Sequence, residues 1–528
     1  MIVNKLLKSL EKIASKIYGE ISEHFPVASA SDEFFYFPQM RPPDPDWSVW
    51  DRFSAEFIKE LANKLSLWEN EIDELILKAP CPETADYAQM KLLKKVVRTL
   101  GEQLVLVRTW ETQPSFHLTI ACIGLAEAME QGIGPASQRA ATLPRFLDRA
   151  RKNLKNVPAS FRDLGLEMVG DTRAYLVMLR ERLPVLSDAL DALDRFEEKL
   201  KAAASPAGFR MSPEKLALVV ESHIHCGMAI SEVDDLLDRE IDAMKGALAG
   251  AARETGCDTW REAYAAIPPP KAGKDGLVGL YRDEVLRLGR HCRETGLASG
   301  PVYDANPVKV TPVPAYLSAI RSASSYSIAP GHPPCGGVFY VINAHDPNEW
   351  SKPYHREYRA LCAHETWPGH HLLDVSRWSL TSPVLRPVER PVFYEGWACF
   401  AEETPARTGY LAAPGDRLIL AKRRLWRAVR GKVDLGLQTG AMSLERAAAL
   451  LTRTGMSSPQ AESSARKYLL NPGYQSCYTV GLKRFQALYE RYGDNDLPGF
   501  SRLVLSQGEI RFDDLESVLQ EKQAPINP

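Results

Sequence analysis

Most of this chain carries the residue spacing of amphipathic helices. Apolar residues recur every three or four positions from the N-terminus to about residue 300, and charged residues fill the positions between them. Residues 91–110 and 173–204 show this most clearly, and Pro184 is expected to end or kink the second segment. Gly227 is expected to divide a further segment, which starts at Ser212, into two helices. The sequence therefore predicts a mainly helical protein.

The first 25 residues predict an amphipathic surface helix, because Leu6, Leu10, Ile13 and Ile17 alternate with Lys and Glu. No uninterrupted apolar segment or small-residue cleavage site follows, so we do not expect a signal peptide. No run of about 18 apolar residues occurs, and no membrane span is expected. The 65 Lys and Arg residues balance 67 Asp and Glu residues, which argues against nucleic acid as a partner.

The nine cysteines predict free, mostly buried thiols. Their number is odd, their spacing is wide and no C-x-x-C pair occurs, which argues against a disulfide framework or an all-cysteine zinc site. A reducing cytoplasm fits this pattern best. The cysteines stand at positions 81, 122, 226, 257, 292, 335, 362, 399 and 477.

The residue period changes from helical to alternating after Asn306. The segment 307–317 alternates valines with polar residues and prolines, and Val338–Ile342 is dense in β-branched and aromatic residues. We expect two short strands in a small antiparallel sheet, with the proline-rich strand at its edge. Helices return at about Tyr354 and continue to the C-terminus. For domains, we expect an N-terminal helical region at 1–210 and a second region at 211–528, joined as one continuous unit.

The residues with the strongest chemical signal follow this sheet. His364, Glu365, His370 and His371 lie within eight positions, in a chain with only 11 histidines. Zinc favours neutral imidazoles and a carboxylate, with one position open when the site is catalytic. The familiar pattern is H-E-x-x-H on one helix face, with the Glu beside the metal-bound water. Here Pro368 occupies the position of the second histidine, so the usual spacing is broken.

Two residues could supply the second imidazole. On an unbroken helix His371 returns to the face of His364 but lies about 10 Å along the axis, too far for two bonds of about 2 Å to one ion. Alternatively, Pro368 and Gly369 act as an insertion that unwinds the backbone and brings His370 to the required place. We favour His370 and leave His371 open as a ligand or a neighbour that orients one.

A third ligand is expected on the following helix. In the segment from Tyr394, Glu395 and Glu402 share a helix face with Ala398, and Glu395 lies 31 residues after His364. Aromatic and small apolar residues flank Glu395, which indicates a buried helix, and a buried carboxylate needs a cation or hydrogen-bond donors. The alternative is that both carboxylates form a solvated face.

The motif H-E-x-x-P-G-H-H, followed by E-G-W-A-x-x-x-E, resembles the bacterial domain-of-unknown-function 885 family, which is similar to a divergent branch of the gluzincin zinc peptidases. Further likeness extends from about residue 210 to the end. The resemblance implies a mainly α fold with a deep cleft, as in neurolysin-like and thermostable-carboxypeptidase-like proteins. It also implies zinc on His364, His370 and Glu395, Glu365 as the general base and Tyr478 as a donor to the oxyanion.

The implied function is a zinc-dependent hydrolase that cleaves short peptides through a metal-activated water. The chain has Tyr474 where relatives often carry Gln and Gln438 where they carry His, which leaves the substrate preference open. Two alternatives remain: a zinc enzyme acting on a non-peptide metabolite, as an amide hydrolase or lyase, and a non-catalytic metal-binding relative.

Overall fold

The chain divides into two compact units in the computed structural model. The first comprises Met1–Met211, Pro314–Ser322 and Ser382–Glu389, and the second comprises Ser212–Val313, Ala323–Thr381 and Arg390–Pro528. The structure describes residues 2–79, 85–206, 208–225, 227–271, 273–317, 321, 323–342, 344, 346 and 352–523.

The first unit is helical. Leu10, Phe25, Phe53 and Leu61 belong to its buried core. Helix α5 is apolar around most of its circumference, so it is buried on nearly every side rather than along one stripe. Its helices are α1 (Ile2–His24), α2 (Ala55–Lys78), α3 (Ala85–Glu102), α4 (Thr109–Thr112), α5 (Pro114–Gln131), α6 (Ile133–Asn153), α7 (Ala159–Arg180) and α8 (Ser187–Ala202), with a π-helical segment at Gln103–Val107.

The second unit is also mainly helical, and it carries the sheet and all the candidate site residues. Its helices are α9 (Pro213–Ala217), α10 (Ile230–Glu254), α11 (Trp260–Ala266), α12 (Gly276–Glu294), α13 (Gly300–Ala305), α14 (Tyr358–Glu365), α15 (His370–Ser379), α16 (Pro391–Arg407), α17 (Pro414–Thr439), α18 (Leu444–Thr452), α19 (Ser458–Lys467), α20 (Cys477–Tyr492), α21 (Leu497–Leu505) and α22 (Phe512–Gln523). A π-helical segment, Leu218–Ile224, follows α9.

The predicted helical breaks are confirmed. Helix α7 ends at Arg180, and α8 begins after the short 3₁₀ turn at Pro184–Leu186. Gly227 has a φ of 113°, which favours glycine, and α10 begins three residues later. The N-terminal amphipathic segment forms α1, as predicted. Among the described residues, none of the helices combines the length and apolarity that a membrane crossing requires.

The sheet has three strands, β1 (Val308–Pro312), β2 (Ser325–Ser327) and β3 (Gly337–Val341), in the order β1-β3-β2. The prediction of an antiparallel sheet is wrong, because β1 pairs with β3 in parallel and only β2 is antiparallel to it. The chain returns to β3 through β2, which has three residues and is too short for alternation to reveal. The proline-rich β1 does lie at an edge, where a missing N–H is tolerated.

The cysteines of the described residues are free thiols. Burial raises the pKa of both Cys122 and Cys399 to about 12, so these thiols stay protonated and unreactive. Cys81 and Cys226 lie outside the described residues.

Candidate metal centre

A break between two helices shapes the centre of the candidate site. Helix α14 ends at Glu365 and α15 begins at His370, with non-helical backbone between them. A Cβ atom on Gly369 would lie 1.8 Å from the carbonyl oxygen of His364, so no other residue fits this close approach. The indole of Trp397 donates a hydrogen bond to the carbonyl of Pro368 at 3.0 Å, which fastens the break to α16.

The break brings two imidazoles to one carboxylate. The Nε2 atoms of His364 and His370 each lie 3.5 Å from Oε2 of Glu395, and one potential ligand atom from each of the three residues lies within 4.8 Å of the others. All three side chains are buried. Bonds of about 2.0–2.1 Å to a tetrahedral zinc would separate ligand atoms by about 3.3 Å. Apart from these two imidazoles, no described residue offers a hydrogen bond to the buried Oε2 of Glu395, so the three residues fit a cation.

The second ring nitrogen of His364 faces Glu402. Nδ1 of His364 lies 2.9 Å from Oε1 of Glu402, whose carboxylate also accepts hydrogen bonds from Arg423 and Arg427. A proton on Nδ1 donated to Glu402 leaves the lone pair of Nε2 on the side of Glu395. Partners of this kind fix the tautomer and the ring orientation of histidine ligands.

The charges of the cluster favour ionised carboxylates. Burial works against the charged form, but the imidazoles of His364 and His370 hold the pKa of Glu395 well below its usual range. Burial is likewise outweighed at Glu402, where Arg423 and Arg427 keep the pKa well below normal. Both carboxylates are therefore negative at neutral pH, one towards the imidazoles and one towards the guanidinium groups.

The ring of His370 is held by an aromatic stack. Its centroid lies 4.1 Å from that of Tyr394, with an angle of 22° between the planes. The hydroxyl of Tyr394 donates to Asp374 at 3.1 Å, and Arg377 donates to the other oxygen of Asp374 at 2.6 Å. Packing and a buried ion pair thus set the orientation of this imidazole.

His371 lies apart from the cluster. Its Nδ1 pairs with the hydroxyl of Tyr326 at 2.9 Å, and its Nε2 pairs with the backbone carbonyl of Asn306 at the same distance. Burial lowers the pKa of His371 to about 4, so the ring is neutral. Of the two histidines weighed from the sequence, the structure brings His370 to His364 and gives His371 protein partners on both nitrogens.

Glu365 is placed against the sheet. Its half-buried carboxylate accepts a hydrogen bond from the backbone N–H of Tyr326 on β2, at 3.0 Å. It follows His364 directly at the end of α14, and it is not one of the three clustered residues. The sequence did not predict β2, so this contact was not foreseen.

Two tyrosines approach Glu395, one from the turn before α20 and one from its first turn. The hydroxyl of Tyr474 donates to Oε1 of Glu395 at 3.3 Å, and the rings of Tyr474 and Tyr478 are 6.0 Å apart. Burial and the nearby negative charge of Glu395 raise the pKa of Tyr478 well above its usual range, so its hydroxyl keeps its proton. The guanidinium of Arg430 lies 4.2 Å from the centre of the Tyr478 ring.

The backbone turn that carries Tyr474 is fixed by buried polar groups. Asp434 accepts a hydrogen bond from the N–H of Gln475 at 3.0 Å, and His225 pairs with the hydroxyl of Ser476 at 2.9 Å. The side-chain amide of Gln438 does not take part in this turn. It donates hydrogen bonds to the backbone carbonyls of Tyr468 and Leu469. The side-chain amide of Gln438 is therefore bonded to the backbone and not to Glu395.

Several residues of this site were missed from the sequence. Glu402 was weighed only as part of a helix face, and its arginine partners and the Asp374–Tyr394 pair were not predicted. One signal was available: Arg423, Arg427 and Arg430 recur at helical spacing on α17. Two members of this row, Arg423 and Arg427, bind the buried carboxylate of Glu402.

These features define a mainly helical protein with a buried cluster of two histidines and one carboxylate. The chain belongs to the family described as "Bacterial protein of unknown function (DUF885)", which matches residues 111–519. The match begins about 100 residues earlier than the motifs alone indicated. No curated protein matches the chain.

Two solved structures share the fold. A "putative lipoprotein of unknown function" from Shewanella oneidensis is 16% identical with a TM-score of 0.72, over 97% of this chain and 99% of that one. A "putative lipoprotein" from Colwellia psychrerythraea is 16% identical with a TM-score of 0.75, over 98% and 99%.

These descriptions overturn the prediction of a cytoplasmic protein. The prediction depended on the lack of a disulfide framework, but buried thiols with a raised pKa also persist unpaired in an oxidising compartment. The cysteine pattern therefore carries no information about location.

Proposed function

We propose that this protein is a zinc-dependent hydrolase that cleaves short peptides. One observation carries the proposal: two imidazole nitrogens lie 3.5 Å from a buried carboxylate oxygen that has no other hydrogen-bond donor among the described residues. A carboxylate in such a place needs a cation, and two neutral imidazoles with one carboxylate are the ligand set of many catalytic zinc sites. His364, His370 and Glu395 would hold the ion.

A bound zinc ion supplies Lewis acidity towards a carbonyl oxygen and lowers the pKa of water towards about 7. Glu365 then acts as the general base, accepting the proton of the attacking water and returning it to the leaving amine. The half-buried carboxylate of Glu365, held by the N–H of Tyr326, supports this role, because one of its oxygens is oriented by the sheet.

The phenol of Tyr478 donates a hydrogen bond to the oxyanion that develops on the scissile carbonyl. Its raised pKa supports a donor role, because the hydroxyl remains protonated across the physiological range. Tyr474 already donates to Glu395, which suits it to orienting that carboxylate.

We also propose kinship with the gluzincin peptidases, including the deep cleft of neurolysin-like and thermostable-carboxypeptidase-like proteins. The order of the residues supports it: a histidine followed by a glutamate on one helix, α14, and a carboxylate 31 residues later on α16. The Pro368–Gly369 insertion is the departure from the usual pattern.

The substitution Glu365→Gln tests the assigned chemistry. It preserves size and leaves the three candidate ligands intact, so zinc content and thermal stability should stay at the wild-type level. Hydrolysis of short peptides should fall by about 10²–10⁴-fold, the usual contribution of a general base. Glu294→Gln, at an exposed position on α12, is the control and should keep full activity. Unchanged turnover in Glu365→Gln would refute the role.

A parallel assay of acylated small molecules separates peptide hydrolysis from metabolite chemistry. Turnover of peptides alone supports the proposal. Turnover of non-peptide amides alone would contradict peptide hydrolysis and favour an enzyme that acts on a metabolite.

A further inference from the structure

One arginine next to the candidate centre, Arg430, makes no ion pair with any of the described residues. On α17, Arg423 and Arg427 donate to Glu402, and Arg424 donates to Glu240 and Glu403. Arg430 has a different environment. Its Nε donates to the side-chain oxygen of Gln475 at 2.6 Å, and its two terminal nitrogens have no hydrogen-bond partner among the described residues. They are not sealed from solvent, and the side chain is half-buried.

The guanidinium of Arg430 is held in a fixed orientation by aromatic rings. It lies 4.2 Å from the ring centre of Tyr478, 4.6 Å from that of Trp426 and 6.0 Å from that of Tyr468. Stacking and the hydrogen bond to Gln475 restrict the rotamers of the side chain, so little entropy remains to be lost when a ligand binds. What remains available is the pair of Nη groups, which matches a planar carboxylate in two parallel hydrogen bonds.

The two Nη groups of Arg430 lie close to the proposed reaction centre. Tyr478 contacts Arg430 on one side, and its ring lies 6.0 Å from that of Tyr474, whose hydroxyl donates to Glu395. Two tyrosine rings therefore connect Arg430 to the candidate ligand Glu395. An extended peptide spans about 3.3–3.6 Å per residue. A peptide whose carboxylate is bound at Arg430 would therefore reach Glu395 within a few residues.

We propose that Arg430 binds the C-terminal carboxylate of the substrate, so that the enzyme acts on short peptides with a free C-terminus. The proposal rests on the hydrolase function proposed above, and it names the substrate class. Gln475 is the positioning residue, since it holds Nε and leaves both Nη groups for the ligand.

The test compares two probes on metal-free protein, so that a carboxylate cannot gain affinity by binding a metal. N-acetyl-dialanine as the free acid should bind at least tenfold more tightly than its C-terminal amide, measured by calorimetry. Arg430→Gln should remove this preference and leave the affinity for the amide unchanged. Arg430→Lys keeps the positive charge but lacks the two Nη groups, so it should retain only part of the preference for the free acid. Arg446→Gln, at an exposed position on α18, is the control.

Equal affinities of the wild-type protein for acid and amide would overturn the proposal without any variant, as would a preference that survives in Arg430→Gln. The zinc-loaded protein gives the second measurement, the ratio of kcat/KM for the two peptide forms. Hydrolysis of both forms at equal rates would leave the hydrolase function standing and remove the carboxylate site. A preference for the acid in binding, without any hydrolysis, would support the carboxylate site and contradict the hydrolase function.

Discussion

Nδ1 of His364 lies 2.9 Å from Oε1 of Glu402, and this contact determines what the rest of the imidazole can do. With a proton held between these atoms, Nε2 is the nitrogen left to bind a metal, and it lies 3.5 Å from Glu395. The same contact links the cluster to Arg423 and Arg427, which neutralise Glu402 in a buried place. The cluster of candidate ligands is thus one end of a polar network that extends into α17.

Glu402→Gln should weaken zinc affinity by about 10–100-fold, because an orienting partner of a ligand is altered. The free energy of unfolding should fall by about 3–5 kcal/mol, since the buried Arg427 loses its anion and Arg423 keeps only Glu357. Competition with a metal chelator measures the affinity, and chemical denaturation measures the stability. The neighbouring Glu403→Gln is the control, because Glu403 binds Arg424 on the other side of the helix. Equal zinc affinity in the two variants would contradict the role of Glu402.

Gly369→Ala should abolish the cluster, because the added Cβ would lie 1.8 Å from the carbonyl oxygen of His364. We expect loss of zinc binding and destabilisation by about 3 kcal/mol or more. Gly246→Ala in α10 is the control: a Cβ there meets nothing within 4 Å, and alanine should stabilise the helix by about 0.5–1 kcal/mol. A Gly369→Ala protein that folds and binds zinc normally would show that the close approach is not required.

Substitutions at the two adjacent histidines should separate ligand from structural roles. His370→Ala should lose zinc, since one of three ligands disappears. His371→Ala should keep the zinc stoichiometry but lose about 1–3 kcal/mol of stability, because the buried contacts of His371 with Tyr326 and with the carbonyl of Asn306 are removed. Elemental analysis with thermal unfolding distinguishes the two. A reversed result, with zinc lost only in His371→Ala, would favour the alternative ligand.

Asp434 should make stability depend on pH. Burial raises the pKa of Asp434 to about 7, above its ordinary value of 3.8, so the folded protein prefers the protonated acid. This stabilisation is complete below about pH 4 and is lost as the pH rises through 7, at a cost of up to about 4 kcal/mol. Asp434→Asn should remove that loss while still accepting from the N–H of Gln475.

Thermal unfolding between pH 4 and pH 9 measures the effect at Asp434. The Asp434→Asn protein should be more stable than the wild type at pH 8 and similar to it at pH 4. Asp235→Asn, at an exposed position, should follow the wild-type profile. The prediction would be wrong if the wild type gained stability relative to Asp434→Asn between pH 4 and pH 8.

The helical architecture followed from the sequence because apolar spacing reports the buried face of each helix directly. The break before His370 was also predictable, since Pro368 removes a backbone donor and Gly369 tolerates a close approach. The parallel pairing of β1 and β3 was not, because it depends on the three-residue β2 and on a long connection.

The contacts between Glu402 and the arginines of α17 could not be predicted from the sequence for a similar reason. Glu402 and Arg427 are 25 residues apart on different helices, and only the packing of α16 and α17 brings them together. His371 could not be separated from His370 until the hydrogen bonds to both of its nitrogens were known.

A crystal structure of the protein soaked in excess zinc, with anomalous data recorded at the zinc edge, tests the central claim most directly. We predict one anomalous peak bound to Nε2 of His364, Nε2 of His370 and the carboxylate of Glu395, with bonds of about 2.0–2.2 Å. Fully zinc-saturated crystals that show no peak at these three side chains would contradict the metal centre, and the proposed hydrolase with it.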